Sequence, residues 1–223
     1  YRGGEGIAKP GYLGVRRTPL DEPLDDFFFD QSYRHVLGAT RPRADGRPSA
    51  QVVNLDVRRK IADLPIEGMP HLGSGITFAW NGTTVLASPN LKGGTVDVID
   101  MKTWKLVRSI PVPGLGLFVR SHENTRYAWT DSMMSAAARD TLTLIDKRTL
   151  EPVKQIKEPG KTLAHIEFTK DGRYALASVW EMEGALIVYD AQTLQEIRRI
   201  PMSKPVGKYN VWNKITRSEG TSH

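Results

Sequence analysis

Apolar and polar residues alternate over short runs in this chain, and the runs recur at a fixed distance. In GITFAW, Ile76, Phe78 and Trp80 share one side while Thr77 and Ala79 take the other, which is the period of a strand and not of a helix. That run turns at Asn81-Gly82 into TTVLAS, and HIEFTK turns at Asp171-Gly172 into RYALASVW. Both dipeptides suit two-residue hairpins, whose central positions take positive φ. A third pair, GLFVRS and RYAWTD, is joined through His122 to Thr125.

Between these hairpins lies a second kind. The stretches ending at Ile66, Val112, Glu158 and Met202 each read strand, turn, strand, with Asn54, Asp100, Asp146 and Asp190 opening the turn at intervals of 46, 46 and 44 residues. Thr103, Thr149 and Thr193 follow three residues later, with Val57 in the first copy, so that an acidic or amide side chain and a hydroxyl cap the exposed amides of the turn. Pro65, Pro111 and Pro201 end the second strand, and Lys157 stands at that position in the third copy.

Four strands in every repeat of roughly 45 residues, with no helical stretch between them, predict an all-β fold: a β-propeller of four-stranded blades. The blades fall around residues 24-66, 71-112, 115-158 and 163-202. The segment 207-215 reads as the first strand of a further blade, and Leu24 to Arg43 as outer strands of the first. Four blades and a fragment do not close a ring, and open sheet edges invite aggregation. The expectation is therefore about the C-terminal half of an eight-bladed propeller. The first strand of each blade would line the central funnel.

Composition changes this picture little. At 39% hydrophobic and 25% charged residues, the chain is rich enough in apolar side chains to bury a core. No run approaches the roughly 18 apolar residues that cross a bilayer, and the first residues, YRGGEGIAKPGYLG, hold no apolar segment of a secretory signal. The absence of cysteine excludes disulfides, thiolate metal sites and covalent c-type haem. The net charge of +6 is scattered, without a basic stripe interleaved with aromatics, so a nucleic-acid partner is not expected.

Five histidines are candidates for chemistry. None has helical zinc-site spacing, so no metal centre is expected, and no Gly-x-Ser-x-Gly nucleophile motif occurs. His35 reads as structural, and His223 closes the sequence. His71, His122 and His165 fall at the ends of three successive innermost strands, where imidazoles are able to ligate iron or pass protons, or simply to sit satisfied in the core. Arg120, Lys161 and Lys208, with Arg16 and Arg17, suit carboxylates or form ordinary surface charge. Tyr209, Trp180 and Trp212 offer faces for a planar ring or for packing. Gly73, Gly75, Gly114 and Gly116 either thin the channel wall for a wide flat ligand or relieve crowding at the axis.

The runs MPHLGSGITF, LFVRSHENTRYAW and AHIEFTKDGRYALASVWE, and the ending KPVGKYNVWNKITRSEGTSH, resemble the d1-type propeller family over about Leu24 to His223. That family comprises haem d1 nitrite reductases, NirN-type dihydro-haem d1 dehydrogenases and NirF-type haem d1 biosynthesis proteins; PHLGSG and GTSH look most like the NirF type. The resemblance implies a periplasmic protein of denitrification that binds haem d1 or its immediate precursor in the funnel and serves a late step of its assembly. It also implies a complex with nitrite reductase or the NirN-type protein, and admits a homodimer. His122 matches one histidine of the reductases' substrate pocket, while Asn90 stands at the position of the other, which argues against nitrite reduction. The site carried forward is His122 as acid or base, with His71, Gly73, Asn90, Gly116, Arg120, His165, Lys208, Tyr209 and Asn213 around the macrocycle. Two function classes stay open: an oxidoreductase-like or side-chain-modifying enzyme, and a non-catalytic carrier that delivers the cofactor.

Overall fold

The structure, a computed structural model, describes residues 17-20, 22-40, 44-45, 50-205, 207-215 and 219-220. Among the described residues, sixteen strands form four antiparallel sheets of four, each joined in simple hairpin order. The first blade holds β1 (Asp26–Phe29), β2 (His35–Ala39), β3 (Ala50–Asn54) and β4 (Arg59–Leu64). The second holds β5 (Ile76–Trp80), β6 (Thr83–Pro89), β7 (Thr95–Asp100) and β8 (Leu106–Pro111). In the third are β9 (Val119–Arg120), β10 (Tyr127–Asp131), β11 (Thr141–Asp146) and β12 (Glu151–Lys157); in the fourth, β13 (Leu163–Phe168), β14 (Tyr174–Val179), β15 (Ala185–Asp190) and β16 (Glu196–Pro201).

The period-2 pattern explains how the blades stack. Alternate residues of one strand enter different cores: Val85 and Ala87 of β6 pack in the layer between the second and third blades, whereas Leu86 packs in the layer between the first and second. Likewise Leu142 and Leu144 of β11 join the layer with the fourth blade, and Ile145 joins the layer with the second. Each blade is thus apolar on both faces and cannot be stable without neighbours. The last strands β4, β8, β12 and β16 are largely exposed, while β13 is buried along its whole length, so the first strands lie at the hub. This corrects the reading of Leu24 to Arg43: β1 and β2 are the inner strands of the first blade, and the exposed β4 is its outer one.

The repeated turn is built as its residues dictate. Asp100 Oδ1 accepts from the amides of Lys102 and Thr103 at 2.7 and 2.8 Å, and Asp190 Oδ1 from those of Gln192 and Thr193 at 2.9 and 2.8 Å. Four residues after each anchor stands a left-handed residue, Arg58, Trp104, Leu150 or Leu194, and a register shift follows at Val52/Val53, Val98/Ile99, Leu144/Ile145 and Val188/Tyr189. A type I turn closed by a left-handed bulge residue has this form.

The segment 207-215 is not a strand. It lies beside β13 in the same direction, but from Asn210 it turns into the short helix α1 (Val211–Ile215). Asn210 is the reason: its Oδ1 accepts from the Asn213 amide at 3.1 Å, an N-cap that starts a helix where the apolar pattern alone suggests a strand. No helix among the described residues is long and apolar enough to cross a membrane.

Candidate functional site

Four of the residues singled out from the sequence meet at the hub. β13 breaks its pairing with β14 between Ala164 and Glu167, and inside that bulge His165 takes φ +46, a left-handed conformation costly for a residue with a Cβ. The bulge buries the ring edge-on against Phe118, with centroids 4.5 Å apart, and against Tyr209 at 5.2 Å. Its Nδ1 accepts from the backbone amide of Lys208 at 3.0 Å, which places the imidazole proton on Nε2. Among the described residues that buried Nε2 has no partner. Burial, with the positive charges of Lys208 and Arg120, lowers the His165 pKa to about 3, so the ring is neutral at physiological pH.

Around this ring the charges are arranged unevenly. Lys208 reaches over β13 and donates from Nζ to the His165 carbonyl and, at 2.6 Å, to Ser178 Oγ. Burial lowers its pKa to about 8, against the pull of Glu167 and Asp131. Arg120 is buried and donates from Nη1 to the carbonyls of Ser74 at 3.0 Å and Val119 at 2.7 Å, joining the second blade to the third. Asp131 ends β10 wholly buried; burial pushes its carboxyl up to about 6, and it accepts from the amides of Leu117 at 2.8 Å and His165 at 3.3 Å. Asn210 runs alongside, its amide on Glu167 Oε2 at 3.3 Å and its side chain on the Phe168 carbonyl at 2.9 Å. Tyr209 keeps 60% of its surface exposed, so this cluster reaches solvent through an aromatic face. Asn213 is buried within α1, its backbone amide held by the Asn210 cap.

The other expected site residues are held by contacts within the protein. His122 is 1% exposed and both ring nitrogens are engaged: Nε2 with the Lys170 carbonyl at 3.2 Å, Nδ1 with the Asn124 amide at 3.1 Å. It clamps the third blade onto the β13–β14 turn, where Gly172 leaves the space for its ring, and both nitrogens are held by protein groups. Asn90 is equally committed: Oδ1 accepts from the amides of Met69, Lys92 and Gly93, and Nδ2 donates to the Glu67 carbonyl and to Asp97. It ties a loop to β7. His71 pairs with Asp26 at 3.0 Å, and the same carboxylate takes the Gly73 amide at 2.9 Å. A Cβ on Gly73 would stand 2.6 Å from Asp26 Oδ1, and one on Gly116 2.4 Å from the Asp131 carbonyl oxygen. At both glycines the missing side chain lets protein atoms approach one another. Arg16 and His223 lie outside the described residues.

Sequence reasoning missed Asp131, Glu167 and Ser178. Their roles depend on neighbours in another blade or across a sheet, and the one available signal was their polar character within otherwise apolar strands. It also missed a cavity of about 800 Å³ on the opposite, hairpin face, lined by Trp80, Tyr127, Arg126, Lys147, Arg148 and Glu123.

Comparison with known proteins places this geometry. The Cytochrome D1 heme domain family matches residues 12–214. The chain is 48% identical over 212 residues to the dihydro-heme d1 dehydrogenase of Pseudomonas aeruginosa, covering 95% of this chain and 42% of that protein. It is 33% identical over 144 residues to Protein NirF of Stutzerimonas stutzeri, covering 65% of this chain and 35% of NirF. The solved structure of the dihydro-heme d1 dehydrogenase NirN in complex with DHE superposes with a TM-score of 0.84 at 47% identity, over 90% of this chain and 42% of that one. The chain therefore spans about two-fifths of the length of these relatives, and its four blades amount to about half of an eight-bladed d1 propeller. The narrower resemblance to the NirF type is corrected: the similarity to NirN is both higher and longer.

Proposed function

The chain belongs to the cytochrome d1 heme domain family, and on that footing we propose that it binds haem d1 or its immediate dihydro precursor at the hub and takes part in a late, periplasmic step of haem d1 biosynthesis. The observation that carries this reading is the His165 ring, a neutral imidazole whose Nε2–H is unspent among the described residues, buried between two aromatic rings and beside a cation. A buried donor without an acceptor is costly, so it marks a place where a ligand oxygen belongs.

The residues present fit such a guest. Its carboxylate or ring oxygen accepts from His165 Nε2, the Lys208 ammonium supplies opposing charge, and the exposed face of Tyr209 packs on the macrocycle. Arg120 joins the blades beside it, its Nη1 donating to two carbonyls in a buried setting.

The step we favour is a dehydrogenation like the one named for NirN. Two C–H bonds of a saturated substituent break and one C=C bond forms; two protons leave to solvent, and the two electrons pass singly to two equivalents of a one-electron acceptor protein. Lys208, with a pKa lowered to about 8, exchanges protons in the working range. A visible-absorbance titration of the full-length protein with haem d1 tests the reading. A shifted Soret band with sub-micromolar affinity is expected, weakened at least tenfold in His165→Ala and Tyr209→Ala; unchanged affinity in both variants would refute it. Binding without product when dihydro-haem d1 and an electron acceptor are supplied would make the protein a carrier.

A further inference from the structure

Resting on that reading of the hub, we infer that Asp131 is the positioning residue of the site: by accepting the His165 backbone N–H it holds the β13 bulge that fixes the imidazole between Phe118 and Tyr209. The left-handed backbone at His165 is unfavourable by itself and persists only if neighbouring groups define it. The bulge lacks ladder partners at His165 and Ile166, so its amides need acceptors elsewhere. Asp131 comes from the adjacent blade and supplies one at 3.3 Å. Its other oxygen, Oδ1, takes the amides of Leu117 at 2.8 Å and Met133 at 3.4 Å, so a single carboxylate joins the loop leading to β9, the loop leaving β10 and the bulge.

The titratable groups facing Asp131 come from three elements: Arg120 on β9, Lys208 in the segment beside β13, and the neutral His165 on β13, whose backbone amide Asp131 holds. Glu167, further along β13, faces the same two cations. None of these cations donates a hydrogen bond to the carboxylate, which therefore depends on backbone amides and takes up a proton near pH 6. The proton goes to Oδ2, because the His165 bond at 3.3 Å is longer than the 2.8 Å bond from Leu117 that holds Oδ1. Protonation thus releases the bulge amide first and leaves the loop contacts in place. Asp131→Asn does the same at every pH, retaining one oxygen for the loops and turning an NH2 toward the His165 N–H.

The test is the haem d1 affinity of full-length wild type and Asp131→Asn, measured by absorbance between pH 5 and 7.5, with thermal unfolding in parallel. Wild-type affinity is expected to fall about five- to tenfold as pH drops through about 6, the worth of one lost hydrogen bond, and Asp131→Asn to bind at the lower level throughout with a flat profile. A flat wild-type profile, or a variant that keeps wild-type affinity and slope while losing only thermal stability, would overturn the inference. Absence of any spectral change in wild type at pH 7.5 would instead overturn the reading of the hub on which it rests. Should Asp131→Asn not fold, Asp131→Glu, which keeps the carboxylate but displaces it, is expected to weaken binding while preserving a pH slope; wild-type affinity in that variant would also overturn it.

Discussion

Replacing His122 by alanine separates a structural histidine from a catalytic one. The ring makes two hydrogen bonds, to the Lys170 carbonyl and from the Asn124 amide, and packs on Gly172 and near Phe168 at a centroid distance of 6.3 Å. Losing two buried hydrogen bonds costs about 1 kcal/mol each, and the vacated ring volume costs about another 1 to 2 kcal/mol because the two hairpins relax only in part. His122→Ala should therefore lose about 3 to 4 kcal/mol. Urea unfolding of the full-length protein, followed by tryptophan fluorescence, reads this as a lower midpoint at unchanged slope. Haem d1 titration under conditions where both proteins remain folded should give affinities within about twofold. A variant that unfolds at the wild-type midpoint yet loses binding or turnover more than tenfold would show that His122 acts on the ligand.

Other outcomes follow from the same geometry. Gly172→Ala places a Cβ 2.2 Å from His122 Nδ1 at φ +70, and should lower the thermal midpoint by an amount comparable to His122→Ala, with little further loss in the double variant. Asn90→Ala removes the acceptor of the Met69, Lys92 and Gly93 amides and the donor to the Glu67 carbonyl, and should cost about 3 kcal/mol in urea unfolding while leaving haem d1 affinity unchanged. Lys208, whose pKa burial lowers to about 8, carries its charge below that pH, so affinity for an acidic macrocycle should fall as pH rises through 8; Lys208→Met should remove that slope. Between pH 8 and the ordinary lysine range the unfolded chain holds more protons at this position than the folded one, so the contribution of Lys208 to stability rises with pH over that interval.

The hairpins and the repeat were legible because they depend on residues close in sequence: an Asx anchor, a Gly turn and alternating apolar positions carry their own geometry. The segment 207-215 was not, since one N-cap at Asn210 outweighs a strand-like pattern. The left-handed bulge residues were hidden as well, because Arg58, Trp104, Leu150 and Leu194 are not residue types that announce positive φ. At the site, His165, Lys208 and Tyr209 were legible as an imidazole, a cation and an aromatic at inner positions. His122 looked equivalent to His165 in sequence, and what distinguishes them is contact across blades: Lys170 occupies one nitrogen of His122, whereas His165 Nε2 has no acceptor among the described residues. Asp131 stands 34 positions from the amide that it holds, a separation no local pattern encodes.

A structure of the full-length protein with haem d1 bound tests the hub most directly. The macrocycle is expected against Tyr209, with one of its oxygens within hydrogen-bond distance of His165 Nε2. A macrocycle seated instead in the cavity between Trp80, Tyr127 and Lys147, with His165 still enclosed by Phe118 and Tyr209, would contradict it.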